Sequence, residues 1–171
     1  NTPLPGISII KANNWPISWE APQKQEIKYF KNMSVNLGAS ISNDGEIMII
    51  SIESYKTRGG EDLYVCFREG NGWSEPKNLG ATVNTPLQEL TPFLAADNKT
   101  LFFASNGHGG YGSRDIFVTQ RQDDSWTRWS VPENLGVMVN TEGAEMGYRL
   151  YPQLSLAIYS STKDSDGYGD I

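Results

Sequence analysis

Residues 107–116, Gly-His-Gly-Gly-Tyr-Gly-Ser-Arg-Asp-Ile, hold four glycines and the only histidine of the chain. Backbone amides in such a loop can cradle a phosphate, and histidine is the usual side chain for proton transfer near neutral pH. A phosphate loop, however, needs a following helix whose N-terminus faces the anion. Here the glycines run into Asp115 to Gln120, a β-branched and aromatic stretch that reads as a strand, and no Gly-Lys-Ser signature is present. A serine-histidine-aspartate triad would have to use His108, and no G-x-S-x-G elbow exists to present its serine. The stretch therefore reads as a hairpin loop with a solvent-facing His108, and the chain as non-catalytic.

The carboxylates invite other chemistry. Asp164, Asp166 and Asp170 in "DSDGYGD" come nearest to a calcium loop, but the distal glutamate of an EF-hand is missing, so an ordinary acidic turn is the main reading and calcium the alternative. Asp62, Asp115 and Asp170 each open the same kind of apolar run, which gives them a shared structural role as acceptors of hydrogen bonds from loop amides. Glu89 and Glu145 recur in the same way and read as equivalent positions rather than as a facing acid-base pair. No cofactor is implied.

The elements behind these residues repeat. "WSEPKNLGATVNTPLQE" (73–89) aligns without gaps on "WSVPENLGVMVNTEGAE" (129–145), a shift of 56 residues that keeps W-S-x-P-x-N-L-G-x-x-V-N-T and the closing Glu. An earlier copy starts near residue 36, and 6–22 resembles the tail of one before it, giving units at about 1–35, 36–88, 89–144 and 145–171 with a period of 53 to 56. Trp73 and Trp129 share one repeat position and are expected to pack at an outer strand. Trp126 lies outside it, in the polar insert 121–128, and is singled out as an exposed anchor for a partner.

Each unit contains short runs at antiparallel spacing, about 90–95, 100–105 and 115–120 in the middle unit, with a fourth near 129–135. The turns between the first two runs are "ADNK" (96–99) and "NDGE" (43–46), the latter suited to a two-residue hairpin with positive φ. In Asp62 to Phe67, Leu63, Val65 and Phe67 alternate with Tyr64 and Cys66, so both faces are apolar and a sheet is expected on either side. The expected fold is all-β, a propeller of four-stranded antiparallel blades. About three repeats are too few to close one, so a partial propeller or a fragment of a longer chain is expected.

Composition narrows the partners. Fourteen Lys and Arg against 20 Asp and Glu give a net charge of −6, and no basic run offers neutralisation of a nucleic-acid backbone. One cysteine, Cys66, excludes an intrachain disulfide. No apolar run approaches the roughly 18 residues of a membrane-spanning helix. The start lacks both an initiator methionine and signal-peptide features, as expected of a mature or excised piece.

The repeated W-S-x-P-x-N-L-G-x-x-V-N-T, with "AADNKTLFFAS" and "GGYGSRDIFV" after it, resembles the WD40-like β-propeller repeat of the TolB type. It is most similar to the form found in OmpA-family and type IX secretion or gliding-associated envelope proteins of Bacteroidota. In the last unit Pro152-Gln153 replaces the aspartate turn of that pattern. The resemblance implies a non-catalytic protein-interaction scaffold, exported to the periplasm or outer membrane, whose partners are other envelope or secretion-system proteins, with peptidoglycan reached through a domain outside this segment. The alternative is the propeller of a carbohydrate-active or peptidase-associated enzyme, for which Asp123, Asp124 and Glu142 are the acids without repeat equivalents.

Overall fold

The structure is a computed structural model and describes residues 7–9 and 19–165. These residues are all-β, with antiparallel sheets and a single 3-10 turn at Pro152–Leu154. No helix among them is long and apolar enough to cross a membrane. Asp166 and Asp170 lie outside the described residues.

Four sheets follow one another along the chain. The first pairs β1 (Ser8–Ile9) with β2 (Gln23–Lys24). The second runs β3 (Gly38–Ile41), β4 (Ile47–Ile52), β5 (Asp62–Glu69), with β6 (Gly72–Trp73) and β7 (Lys77–Asn78) both returning along β5. The third is β8 (Glu89–Leu94), β9 (Thr100–Ser105), β10 (Asp115–Gln120) and β11 (Glu133–Asn134). The fourth pairs β12 (Glu145–Tyr151) with β13 (Leu156–Ser161). The proline before each outermost strand, Pro76 or Pro132, sits at a sheet edge, where no ladder donor is needed.

The sheets stack face to face in chain order, because each central strand is apolar on both sides. Met48, Ile50, Ile52, Tyr64, Cys66 and Trp73 form one buried layer, packed against Ile7, Ile27 and Phe30 of the preceding segment. From the opposite face Ile49, Leu63 and Val65 meet Leu101, Phe103, Phe117 and Trp129 of the third sheet. Phe102, Ala104 and Ile116 then turn to Tyr148, Leu150 and Tyr159 of the fourth. Trp73 and Trp129 thus fill corresponding places in successive layers, 1% and 6% exposed. Truncating either to alanine would remove a payload on the order of 3–5 kcal/mol.

Neighbouring sheets touch chiefly through their first strands, β3 on β8, and β12 on β8 and β9. The amide of Glu89 bonds the carbonyl of Glu61, and that of Glu145 the carbonyl of Arg114, at 2.8 and 2.9 Å, so each new first strand is tied to the third strand of the sheet before it. β8 and β12 both bulge, between Leu90 and Phe93 and between Met146 and Arg149.

The first hairpin of the second, third and fourth sheets differs from the two-residue turn expected at "NDGE". Gly45 alone is left-handed there (φ 77°), and its amide bonds the Ser42 carbonyl, so residues 42–45 form a turn that ends on the left-handed residue. Asn98 (φ 54°) and Ser155 (φ 49°) close the corresponding hairpins in the same way. Pro152-Gln153 keeps this geometry because a 3-10 turn with proline at its start leads into Ser155.

Candidate functional site

Most of the residues that suggested chemistry meet at one end of the sheets, where the third strand begins. The Asp115 carboxylate accepts the amides of Tyr111 (2.7 Å) and Gly112 (3.1 Å) and the Asn134 side-chain amide (2.7 Å). The glycine-rich loop does cradle an anion, and the anion is its own aspartate. A Cβ at Gly110 would collide with that carboxylate, and one at Gly107 with the Thr85 side chain, so close approach explains both glycines.

The motif N-L-G-x-x-V-N-T extends this arrangement. Asn134 accepts from the Gly136 amide and from Asn140 Nδ2, while Asn140 accepts the amide of Ile116 (2.7 Å) and donates to its carbonyl (2.9 Å). Fifty-six residues earlier Asn78 and Asn84 repeat every one of these bonds around Leu63, and Asn78 donates to Asp62 at 2.7 Å. Each asparagine pair therefore fastens an outer strand to the start of β5 or β10, where the ladder would otherwise end. Burial pushes the Asp62 carboxyl up, against the hydrogen bonds from Asn78 and the Arg58 amide.

Thr85 and Glu89 complete the motif. Glu89 is fully buried and accepts the Thr85 amide, the Thr85 hydroxyl and the Ser105 hydroxyl at 2.7–2.9 Å. Thr141, Glu145 and Ser161 repeat the arrangement. Burial raises the pKa of Glu89, while its hydrogen bonds and nearby His108 oppose the shift. The position is a structural nest, its acceptor oxygens committed to the chain's own donors.

Glu61 and Arg114, which immediately precede the two aspartates, carry a link between sheets. Ser34 and Asn36 donate to Glu61, Gln88 donates to Glu61 at 2.7 Å, and Arg114 donates to Gln88 at 2.5 Å. Burial would raise the Glu61 carboxyl, but these donors together hold it below the usual glutamate range.

Two expectations are corrected. His108 is not a solvent-facing loop residue: it is half-buried, its ring lies 5.7 and 5.3 Å from those of Phe103 and Phe117, and Nε2 is 2.8 Å from the Val83 carbonyl oxygen. Trp126 is not exposed: it is 5% accessible, packed edge-on to Phe67 and Trp129, with the Arg121 guanidinium 4.6 Å above its ring. Its φ of 62° turns the polar insert back on itself, which residue polarity alone did not reveal. The Trp129 indole donates to the Trp126 carbonyl at 3.0 Å, so the insert reinforces the layer it joins.

The acids without repeat equivalents do not converge. Asp123 and Asp124 sit beyond the C-terminal end of β10, paired with Arg128 and Arg121. Glu142 lies at the other end, in the turn that Ser113 contacts through the Gly143 carbonyl. The six residues of β10 separate the two groups by about 17 Å. Asp164 has a left-handed φ of 56°, and its expected companions Asp166 and Asp170 are outside the described residues. Among the described residues no three His, Cys, Asp or Glu side chains group as a metal site would require. Cys66 is buried, and burial pushes its thiol up to about 12, far from a reactive thiolate.

No known family model matches the chain, and no curated protein does.

Proposed function

We propose that the chain is a segment of a WD40-like, TolB-type β-propeller that serves as a protein-interaction scaffold of the bacterial cell envelope, of the kind found in type IX secretion or OmpA-type assemblies. What supports the propeller is the serial face-to-face stacking of repeating sheets around closely packed first strands.

One observation carries the scaffold reading. The residues that recur are spent inside the fold on backbone and side-chain hydrogen bonds, whereas variable positions within the repeated motif face outward. Within the same N-L-G-x-x-V-N-T frame, Ala81-Thr82 of one copy become Val137-Met138 of the next, 67% and 89% exposed, with Val131 nearby in sequence at 78%. Exposed apolar residues on a rigid repeat are the means by which such a frame binds protein without catalysis.

The test is affinity capture by the full-length protein from cross-linked envelope membranes, with wild type compared to a Val137→Glu, Met138→Glu double variant. A specific envelope protein is expected in the first eluate and strongly reduced in the second. Equal recovery, or no partner in either, would overturn the reading.

A further inference from the structure

The repeat places two comparable niches between successive sheets, and they are filled differently. Between the second and third sheets the niche is occupied from within by His108, edge-on to Phe103, tilted against Phe117 and bonded to the Val83 carbonyl. One repeat earlier, a spacing of 53 residues puts Tyr55 at the position of His108, Ile50 at that of Phe103 and Tyr64 at that of Phe117. The 54-residue spacing that relates β2 to β7 puts Tyr29 at the position of Val83. Here Phe30 packs on the layer, but among the described residues neither Tyr55 nor Tyr29 turns its ring inward as His108 does. Tyr55 is 79% and Tyr29 84% exposed, and a cavity of about 420 Å³ opens between the second sheet and the segment before it, bordered by Tyr29, Lys31, Tyr55, Lys56, Tyr64 and Glu75.

We propose that this open niche receives an aromatic side chain of a partner polypeptide, one whose ring carries an N–H or O–H and which is flanked by a carboxylate. The proposal rests on the scaffold reading and names the chemistry of its partner. Three features of the site specify that chemistry. The occupied niche shows what the position accepts, a flat ring with a donor edge. The volume lies in the roughly 300–1,000 Å³ range of small binding sites, and the two exposed tyrosines form an amphipathic rim. Buried at the wall, the Tyr64 hydroxyl makes no hydrogen bond among the described residues, and a polar ring substituent that reached it would supply one.

Charge gives the flank. In a chain of net charge −6, this cavity is bordered by two lysines and one glutamate, Glu75. Lys56 is paired with Glu75 at 2.8 Å. Lys31 makes no ion pair among the described residues, and its Nζ lies 5.9 Å over the Tyr55 ring, at the side of the opening. A carboxylate next to an inserted ring would meet it there.

The experiment is an NMR titration of the isotope-labelled protein with the peptides acetyl-Asp-Tyr-Asp-amide and acetyl-Asp-Ala-Asp-amide. The tyrosine peptide is expected to shift the amides of Ile52, Ser54 and Tyr64, and the alanine peptide to bind about tenfold more weakly or less. Lys31→Ala should weaken the tyrosine peptide about two- to fivefold, the range of an exposed ion pair. Tyr55→His, which supplies the ring that His108 supplies next door, should close the niche and abolish the shifts. No shifts at millimolar tyrosine peptide, or equal binding of both peptides, would overturn the proposal, and the two-peptide comparison on wild type decides it even where a variant does not fold. Capture through Val137 and Met138 would survive that failure, which separates this proposal from the one it rests on.

Discussion

His108 Nε2 donates to the Val83 carbonyl across the boundary between two sheets, at 2.8 Å, while its ring packs edge-on to Phe103 and tilted against Phe117. A side chain from a glycine-rich loop is thereby a structural strut. His108→Ala should lower stability by about 1–3 kcal/mol, from the lost hydrogen bond and the ring-sized gap. Urea denaturation measures this, and imidazole at tens of millimolar should recover part of the loss. An unchanged midpoint would mean the ring contributes nothing.

Asn140 clasps both polar groups of Ile116 and also donates to Asn134. Asn140→Ala would orphan these groups at a buried site, at a cost of about 2–4 kcal/mol. Asn84→Ala should cost a similar amount, because the bonds are the same. Paired denaturation curves would show the two losses within about 1 kcal/mol of each other; a neutral result at either site would break the equivalence.

Glu89 gives the fold a pH dependence of known sign. Its folded pKa is raised by burial above the unfolded value of about 4.3, so the folded state holds the proton more tightly. From the unfolded value up to the raised folded one, its contribution to stability falls as pH rises, and it is most favourable below both. Glu89→Gln removes this dependence. The stability difference between variant and wild type should therefore move in favour of the variant as pH is raised from 4 toward neutrality; a flat difference across urea melts at several pH values would contradict the assignment.

Trp126 belongs to the layer between the second and third sheets. Trp126→Ala should cost about 3–5 kcal/mol in stability, the usual range for a buried large aromatic. Thermal denaturation checks this, and a loss under 1 kcal/mol would return Trp126 to the surface.

Much of the architecture was legible because it depends on local periodicity. Two-sided apolar alternation in residues 62–67 required a sheet on each side, and the sheets are there, with Leu63 and Val65 in one layer and Tyr64 and Cys66 in the other. The strands 100–105 and 115–120 have the bounds that residue types and turn signals implied. The equivalence of Asp62 with Asp115, and of Glu89 with Glu145, followed from spacing alone, since a side chain that recurs in register must do the same local work.

Where His108 and Trp126 point was not legible. Both sit in polar or glycine-rich loops, and the repeat offers neither residue an equivalent that behaves the same way. Their burial depends on the gap left between two sheets more than fifty residues apart in register, and on the left-handed backbone at Trp126. Likewise Tyr55 and His108 occupy one repeat position, yet one ring is out and the other in. The sequence by itself determined the strands, the repeat and the residues that tie each strand to the next, because those are set by short-range pattern. Only the tertiary structure decided which inter-sheet niche is filled and which stands open, because that depends on the width of a space that no single segment encloses.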